Sequence, residues 1–257
     1  NRCRIFFTPG VPSEFKQMVQ QEILPRLQQQ FTLPDAPVCL RLTTFGRSES
    51  DLAQSLDGLT LPPDVVIGYR SSMPIIELKL TGPGEQRAAM EALWPEIRKV
   101  AGESVIFEGT EGLPAQIARC LNERQLSLTL SEQFTGGLLA LQLSRECAPL
   151  LASEVVPAQQ ETLTQTAHWT AERRINHFAG LALAVSGLEE DHLNFALSTP
   201  EGTHALRVKF NTTRHTLQVR QEVCVMMALN ILRRWLNGKD IVSDHGWINV
   251  VESLFIE

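Results

Sequence analysis

The chain has 257 residues, 43% of them hydrophobic and 20% charged, with a net charge of −6; it carries enough apolar material for one large or two to three small cores. That negative balance opposes the sequence-independent attraction to phosphate backbones and argues against a nucleic-acid partner. No run approaches the roughly eighteen apolar residues of a membrane span and no basic-then-apolar leader is present, so neither membrane nor export is expected and the expected location is the cytoplasm.

Residues 4–30 read as a strand over 5–8, a Pro-Gly-Val-Pro loop, and a helix from Ser13 that Pro12 and Ser13 start and Pro25 kinks or shortens. A buried-looking strand so close to Asn1, with no methionine before it, gives the expectation of a fragment whose N-terminal part is missing. "TLPDAP", residues 32–37, reads as a linker. From 38 to 109 the pattern predicts strand "VCLRLTTF", a helix opened by a capping box over 48–51, strand 65–69, strand "IIELKLTG", helix 85–100 and strand "SVIFEG". This is a small α+β sandwich, and its seven basic against ten acidic residues leave it at −3. "EGTEGLP", residues 108–114, is a second linker. Beyond it come helix 114–124, strand 126–131, helix 136–146, a strand near 154–156, helices through 160–178, strands "LALAVSG", "LNFAL" and "HALRVKF", and a long helix over 215–237. These predict an α/β layer structure. The expected division is 1–33, 36–109 and 112–257.

Three loops could carry chemistry. In "TPGVPSE", Pro9, Gly10, Pro12, Ser13 and Glu14 either place unpaired N–H groups for a phosphate or form an ordinary strand-to-helix turn. In "SEQFTGG", Glu132, Thr135, Gly136 and Gly137 precede an apolar helix whose first N–H groups suit an anion, or the glycines allow close packing. In "AVSGLEED", Ser186 and Gly187 could face that corner across the sheet edge, or form a plain turn. The cysteines Cys3, Cys39, Cys120, Cys147 and Cys224 show no CxxC or zinc-finger spacing, and His168 and His177 have no HExxH partner. Met226, Met227 and Trp235 mark the long helix as a central packing element, one a second subunit could share.

In order and spacing the three blocks resemble the CinA family over essentially the whole chain. "IFFTPGVPSEFKQM" is similar to the end of the family's N-terminal molybdopterin-binding-like domain, "LRLTTFGRSESDLAQSL" with "GYRSS" and "IELKLTG" to its KH-like α+β middle domain, and "TLSEQFTGGLLA" with "LALAVSG" to its C-terminal three-layer α/β domain. In active relatives that last domain deamidates nicotinamide mononucleotide. The family motif Thr-x-Ala-Glu-Ser-Cys-Thr-Gly-Gly matches Thr129, Glu132, Thr135, Gly136 and Gly137, while Ser131 replaces alanine and Gln133 and Phe134 replace Ser-Cys. The resemblance therefore implies that Gln133 stands at the nucleophile. It also places Ala158 at a tyrosine and Leu163 at the lysine base, and substitutes Glu189, Glu190 and Asp191 for a glycine-rich stretch. An amide is no nucleophile, leucine takes no proton, and three carboxylates repel phosphate.

The expectation is thus an amidohydrolase-like pseudoenzyme in a homodimer, with a nucleotide as candidate ligand and no cofactor in this chain. A divalent metal would belong to the full-length N-terminal domain, whose implied activity is pyrophosphate hydrolysis; no metal ligand is assigned here. The alternative is an active pyridine-nucleotide amidohydrolase that uses Ser131 or Ser186. A third reading, an RNA-binding KH-like domain, is opposed by the −3 charge and by "TGPGEQ", which does not match a GxxG loop.

Overall fold

Residues 4–32, 36–211, 215–243 and 245–257 are described by a computed structural model. Cys3 and the middle of the predicted first linker, residues 33–35, lie outside them.

Residues 4–11 form no strand, contrary to the expectation for 5–8. The side chains suit a strand, but a strand needs a neighbour to satisfy its backbone, and none lies beside it among the described residues; Ile5 is 73% and Phe7 90% exposed. Helix α1 (Pro12–Met18) follows, then a π-helical turn (Val19–Ile23) and α2 (Leu24–Gln30). The π turn sits directly before Pro25, which lacks the N–H a regular helix would use and crowds the preceding turn. None of the three segments buries a residue.

A four-stranded antiparallel sheet comes next, ordered β2-β3-β1-β4 from β1 (Val38–Phe45), β2 (Val66–Ser72), β3 (Ile75–Gly82) and β4 (Val105–Glu108). Strand β3 alternates buried and half-buried positions, so one face is left for α3 (Glu49–Leu56) and α4 (Arg87–Ala101). Leu42, Leu52, Leu78, Leu80, Met90 and Ile97 close that core completely. Ser48 caps α3 by accepting from the Asp51 N–H at 3.2 Å, but Asp51 turns to Arg47 at 2.5 Å and does not complete the expected box.

The second sheet has six strands in the order β10-β9-β8-β7-β5-β6. Strands β5 (Leu128–Glu132), β6 (Leu150–Val155) and β7 (Leu181–Val185) run parallel. β8 (His192–Thr199), β9 (Gly202–Phe210) and β10 (Ile248–Ile256) add antiparallel. β6 begins well before the expected 154–156, and β10 was not expected at all.

The two faces of this sheet differ. Phe195, Leu197, Leu206 and Val208 pack under α5 (Leu113–Glu123), α6 (Leu138–Arg145) and α8 (Leu217–Leu236). On the other face Ala196 and Ala205 are small and admit α7 (Leu163–Asn176) closely. Helix α8 buries eleven residues within this chain, Met227 included, which accounts for its apolar sequence without a second subunit.

The two sheets share a core. Phe45 and Ile106 from the first belong to the apolar cluster of the second, and Phe45 packs at a tilt against Trp247 with ring centroids 5.7 Å apart. At the junction the Gly246 N–H donates to the Gly46 carbonyl at 2.8 Å. Gly46 has φ +90, and a Cβ there would come within 2.6 Å of the His245 ring, so glycine is needed for both conformation and approach.

Candidate functional site: a closed corner at the sheet edge

Strand β5 ends at Glu132, and the chain turns through Thr135, Gly136 (φ +60) and Gly137 (φ +93) before α6 starts at Leu138. The turn wraps around the Glu132 side chain. Its Oε2 accepts from Thr135 Oγ1 at 2.6 Å and from the N–H groups of Gly137 at 3.2 Å and Leu139 at 3.0 Å, while Oε1 accepts from the Ala140 N–H at 2.8 Å. Glu132 is 0% exposed. The N–H groups that suggested an anion cradle are therefore occupied by an anion from the chain itself, placed where the helix dipole favours it. Glu132, Thr135 and Gly137, expected to contact a ligand, instead hold the start of α6.

Gln133 braces the corner from the α7 side. Its Nε2 donates to Glu161 Oε1 at 2.7 Å, and its Oε1 accepts from the Gln159 N–H at 2.9 Å. Glu161 Oε2 accepts from Thr166 at 3.1 Å, and Asn194 Nδ2 donates to both Thr166 Oγ1 (2.9 Å) and the Glu161 carbonyl (3.1 Å). Asn194 Oδ1 accepts from Arg207 at 3.2 Å, and Arg207 pairs with Glu189 at 3.4 Å. Ser186 is also engaged: its Oγ donates to the Gly187 carbonyl at 3.1 Å and accepts from the Asn194 N–H at 2.8 Å. Such a connected network is strong because each buried polar group finds a partner.

The loops expected to meet do meet. A Cβ on Gly187 would lie 3.1 Å from both Ala158 and Gln133 Oε1. Leu163 does not join them; it is 3% exposed and packs with Ala167, Ala196 and Ala205 against Leu254 and Ile256. The cavity bounded by Ser131, Gln133, Glu161, Arg173 and Ser186 measures about 10 Å³. That is about one water, against roughly 300–1,000 Å³ for small-molecule sites. Across it Arg173 pairs with Glu154 and lies 4.9 Å from the Trp169 ring centroid, and burial pushes the Arg173 pKa below the usual arginine value.

The acidic loop is less repulsive than its sequence suggested. Glu189 is paired with Arg207, and Asp191 with Arg220 at 2.6 Å; Arg220 also lies over Phe210 at 4.5 Å. The N-terminal loop lies open to solvent. Gly10, Ser13 and Glu14 are exposed, Pro9 is half-buried, and α1 starts at Pro12 without a side-chain cap. Among the described residues, no group of three or more His, Cys, Asp or Glu could hold a metal ion, and no helix is long and apolar enough to cross a membrane.

Sequence reasoning missed Glu161, Thr166, Asn194 and Arg207. One signal was available: Thr162-Leu-Thr-Gln165 is a capping box, with Thr162 Oγ1 accepting from the Gln165 N–H at 3.2 Å and Gln165 Oε1 accepting from the Thr162 N–H at 2.9 Å. It places the α7 start, and hence Glu161, beside the corner.

Parallel strands with three loops converging at their C-terminal edge, under helices on both faces, form an α/β layer whose loops meet where ligands of open sheets commonly lie. The chain is 76% identical over 254 residues to a CinA-like protein of Escherichia coli O9:H4 (strain HS), covering 99% of this chain and 64% of that relative. It is equally similar to the NMN amidohydrolase-like protein YfaY of Escherichia coli (strain K12). The chain is thus similar to CinA-like proteins and spans 64% of the length of these curated relatives. No protein-family model matches it. Among solved structures it is similar to a competence or damage-inducible protein from Enterobacter asburiae (TM-score 0.44, 19% identity, 48% of this chain and 96% of that one). It is also similar to the competence damage-inducible protein A from Klebsiella pneumoniae (TM-score 0.42, 24% identity, 49% and 95%).

Proposed function

We propose that residues 112–257 form a non-catalytic amidohydrolase-like unit, a pseudoenzyme that keeps the family scaffold without deamidating nicotinamide mononucleotide. One observation carries this reading: Gln133, Glu161 and Asn194 fill the corner and leave about 10 Å³, and the hollow of about 510 Å³ beyond Glu161 is lined by none of Gln133, Ser131 and Ser186. Gln133 offers no nucleophile and Leu163 no base. Loss of both groups typically costs several orders of magnitude in rate. Middle residues 36–109 are read as the KH-like unit and residues 1–33 as the end of a molybdopterin-binding-like domain. Any hydrolysis by the longer protein would then be metal-dependent pyrophosphate cleavage in its N-terminal domain, in a cytoplasmic homodimer.

The competing reading, an active amidohydrolase with a replacement nucleophile, draws on Ser131 and Ser186 lining the same small cavity. Against it, the Ser186 proton is directed to the Gly187 carbonyl rather than to a base. Ammonia release from nicotinamide mononucleotide separates the two. Silence from the wild type at high protein concentration supports the pseudoenzyme; turnover abolished by Ser131→Ala or Ser186→Ala overturns it.

A further inference from the structure

A second hollow, far larger than the corner, lies between the two sheets. It measures about 780 Å³ and is bounded by the C-terminal half of α4, strand β4, Gln116 of α5 and the C-terminal end of α8. A smaller hollow of about 210 Å³ adjoins it, sharing Gln116, Arg233 and Asn237. The main volume falls in the range of small-molecule sites, and junctions between packed units are a common place for them.

Its charge is the reverse of the chain's. Arg98, Lys99, Arg233 and Lys239 line it against Glu103 and Glu108, a local excess of two positive charges in a protein of net charge −6. The pairings show which cations are already committed. Glu108 is held by Arg98 at 2.6 Å and by Trp94 Nε1 at 3.0 Å; Glu103 is held by Lys239 at 2.9 Å and Arg234 at 2.8 Å. Lys99 and Arg233 have no carboxylate partner among the described residues.

Arg233 is the more informative of the two. Its Nε donates to Asn230 Oδ1 at 3.0 Å, but Nη2 is buried and makes no hydrogen bond. Leaving a charged donor out of water and unpaired is costly. Burial and the neighbouring Arg234 both push the Arg233 pKa down. Cations at a helix end offset the dipole and need no ligand, yet Arg233 also lines the hollow without a carboxylate partner among the described residues. An incoming phosphate would supply that counter-charge, which suits the planar fork of arginine. Phe107 and Val105 give the hollow an apolar wall that would take the rest of such a ligand.

We propose that this groove between the sheets binds a phosphate ester of mononucleotide size, with Arg233 and Lys99 gripping the phosphate.

The test is calorimetric titration of the full chain with AMP, adenosine and inorganic phosphate, repeated for Arg233→Gln and Lys99→Glu. AMP is expected to bind, inorganic phosphate to bind more weakly, adenosine to give no heat, and each substitution to weaken AMP binding by about tenfold or more. Lys99 is exposed, so Lys99→Glu reads the charge without disturbing packing. A melting curve for Arg233→Gln separates lost binding from lost folding. The proposal is overturned if no probe binds, if adenosine binds as well as AMP, or if AMP binding survives Lys99→Glu unchanged.

Discussion

The corner at the edge of the six-stranded sheet and the groove between the two sheets are opposites. At the corner, Glu132 fills the start of α6 and Gln133, Glu161 and Asn194 consume one another's hydrogen-bonding capacity, leaving about 10 Å³. In the groove, about 780 Å³ stands between charged walls, and Lys99 and Arg233 have no carboxylate partner among the described residues. Inheriting a site's scaffold and retaining space for a ligand are therefore separate properties.

The comparison can be attacked most severely at Glu132. Replacing it with alanine removes the acceptor for three backbone N–H groups and the Thr135 hydroxyl, and should cost about 3–5 kcal/mol in urea unfolding. A loss comparable to that of an exposed residue would mean the corner is not held by its internal anion. Leu163→Lys comes next. It puts an ammonium among Ala167, Ala196 and Ala205 and should cost about 2–4 kcal/mol by the same assay. It should therefore fail to restore a catalytic base.

Gln133→Ser should cost about 1–2 kcal/mol through the bonds lost to Glu161 and Gln159 and release no ammonia from nicotinamide mononucleotide. The smallest effect belongs to Glu103 in the groove. Hydrogen bonds from Lys239 and then Arg234 lower its pKa below 4.5, so its contribution is present above that value and fades as pH falls through the folded-state value. The carboxylate is largely exposed, so the amount is under about 1 kcal/mol. Glu103→Gln should flatten that acid limb of the stability profile and, by releasing Lys239, tighten AMP binding.

Much of the architecture was legible because periodicity reports burial. The alternation of "IIELKLTG" gives β3 directly, and the apolar run of α8 reads as the packing helix it is. Strand β10 escaped because a bulge between Val250 and Glu252 breaks its alternation. Residues 5–8 misled for the opposite reason: their side chains favour a strand, but strand formation depends on a neighbour that propensity cannot report. At the corner, the resemblance marked Gln133 as a replaced position, but the bonds Gln133 makes to Glu161 and Gln159 were not legible. Glu132 bonds to N–H groups seven and eight residues on, outside the three-residue spacing of a capping box. Nothing local distinguishes a glutamate that caps its own chain from one that meets a ligand. Asn194 comes from a distant strand, so its contact with Thr166 is a product of topology.

The most direct test of the closed corner is binding rather than turnover. Amide resonances of the full chain should be followed as nicotinamide mononucleotide is added. Closure predicts no saturable shifts at Gln133, Gly137, Leu139, Ala140, Gln159 or Gly187, and shifts confined to Lys99 and Arg233 would place the ligand in the groove instead. Saturable shifts at those corner residues would show that the network opens to admit the nucleotide, and would contradict the account.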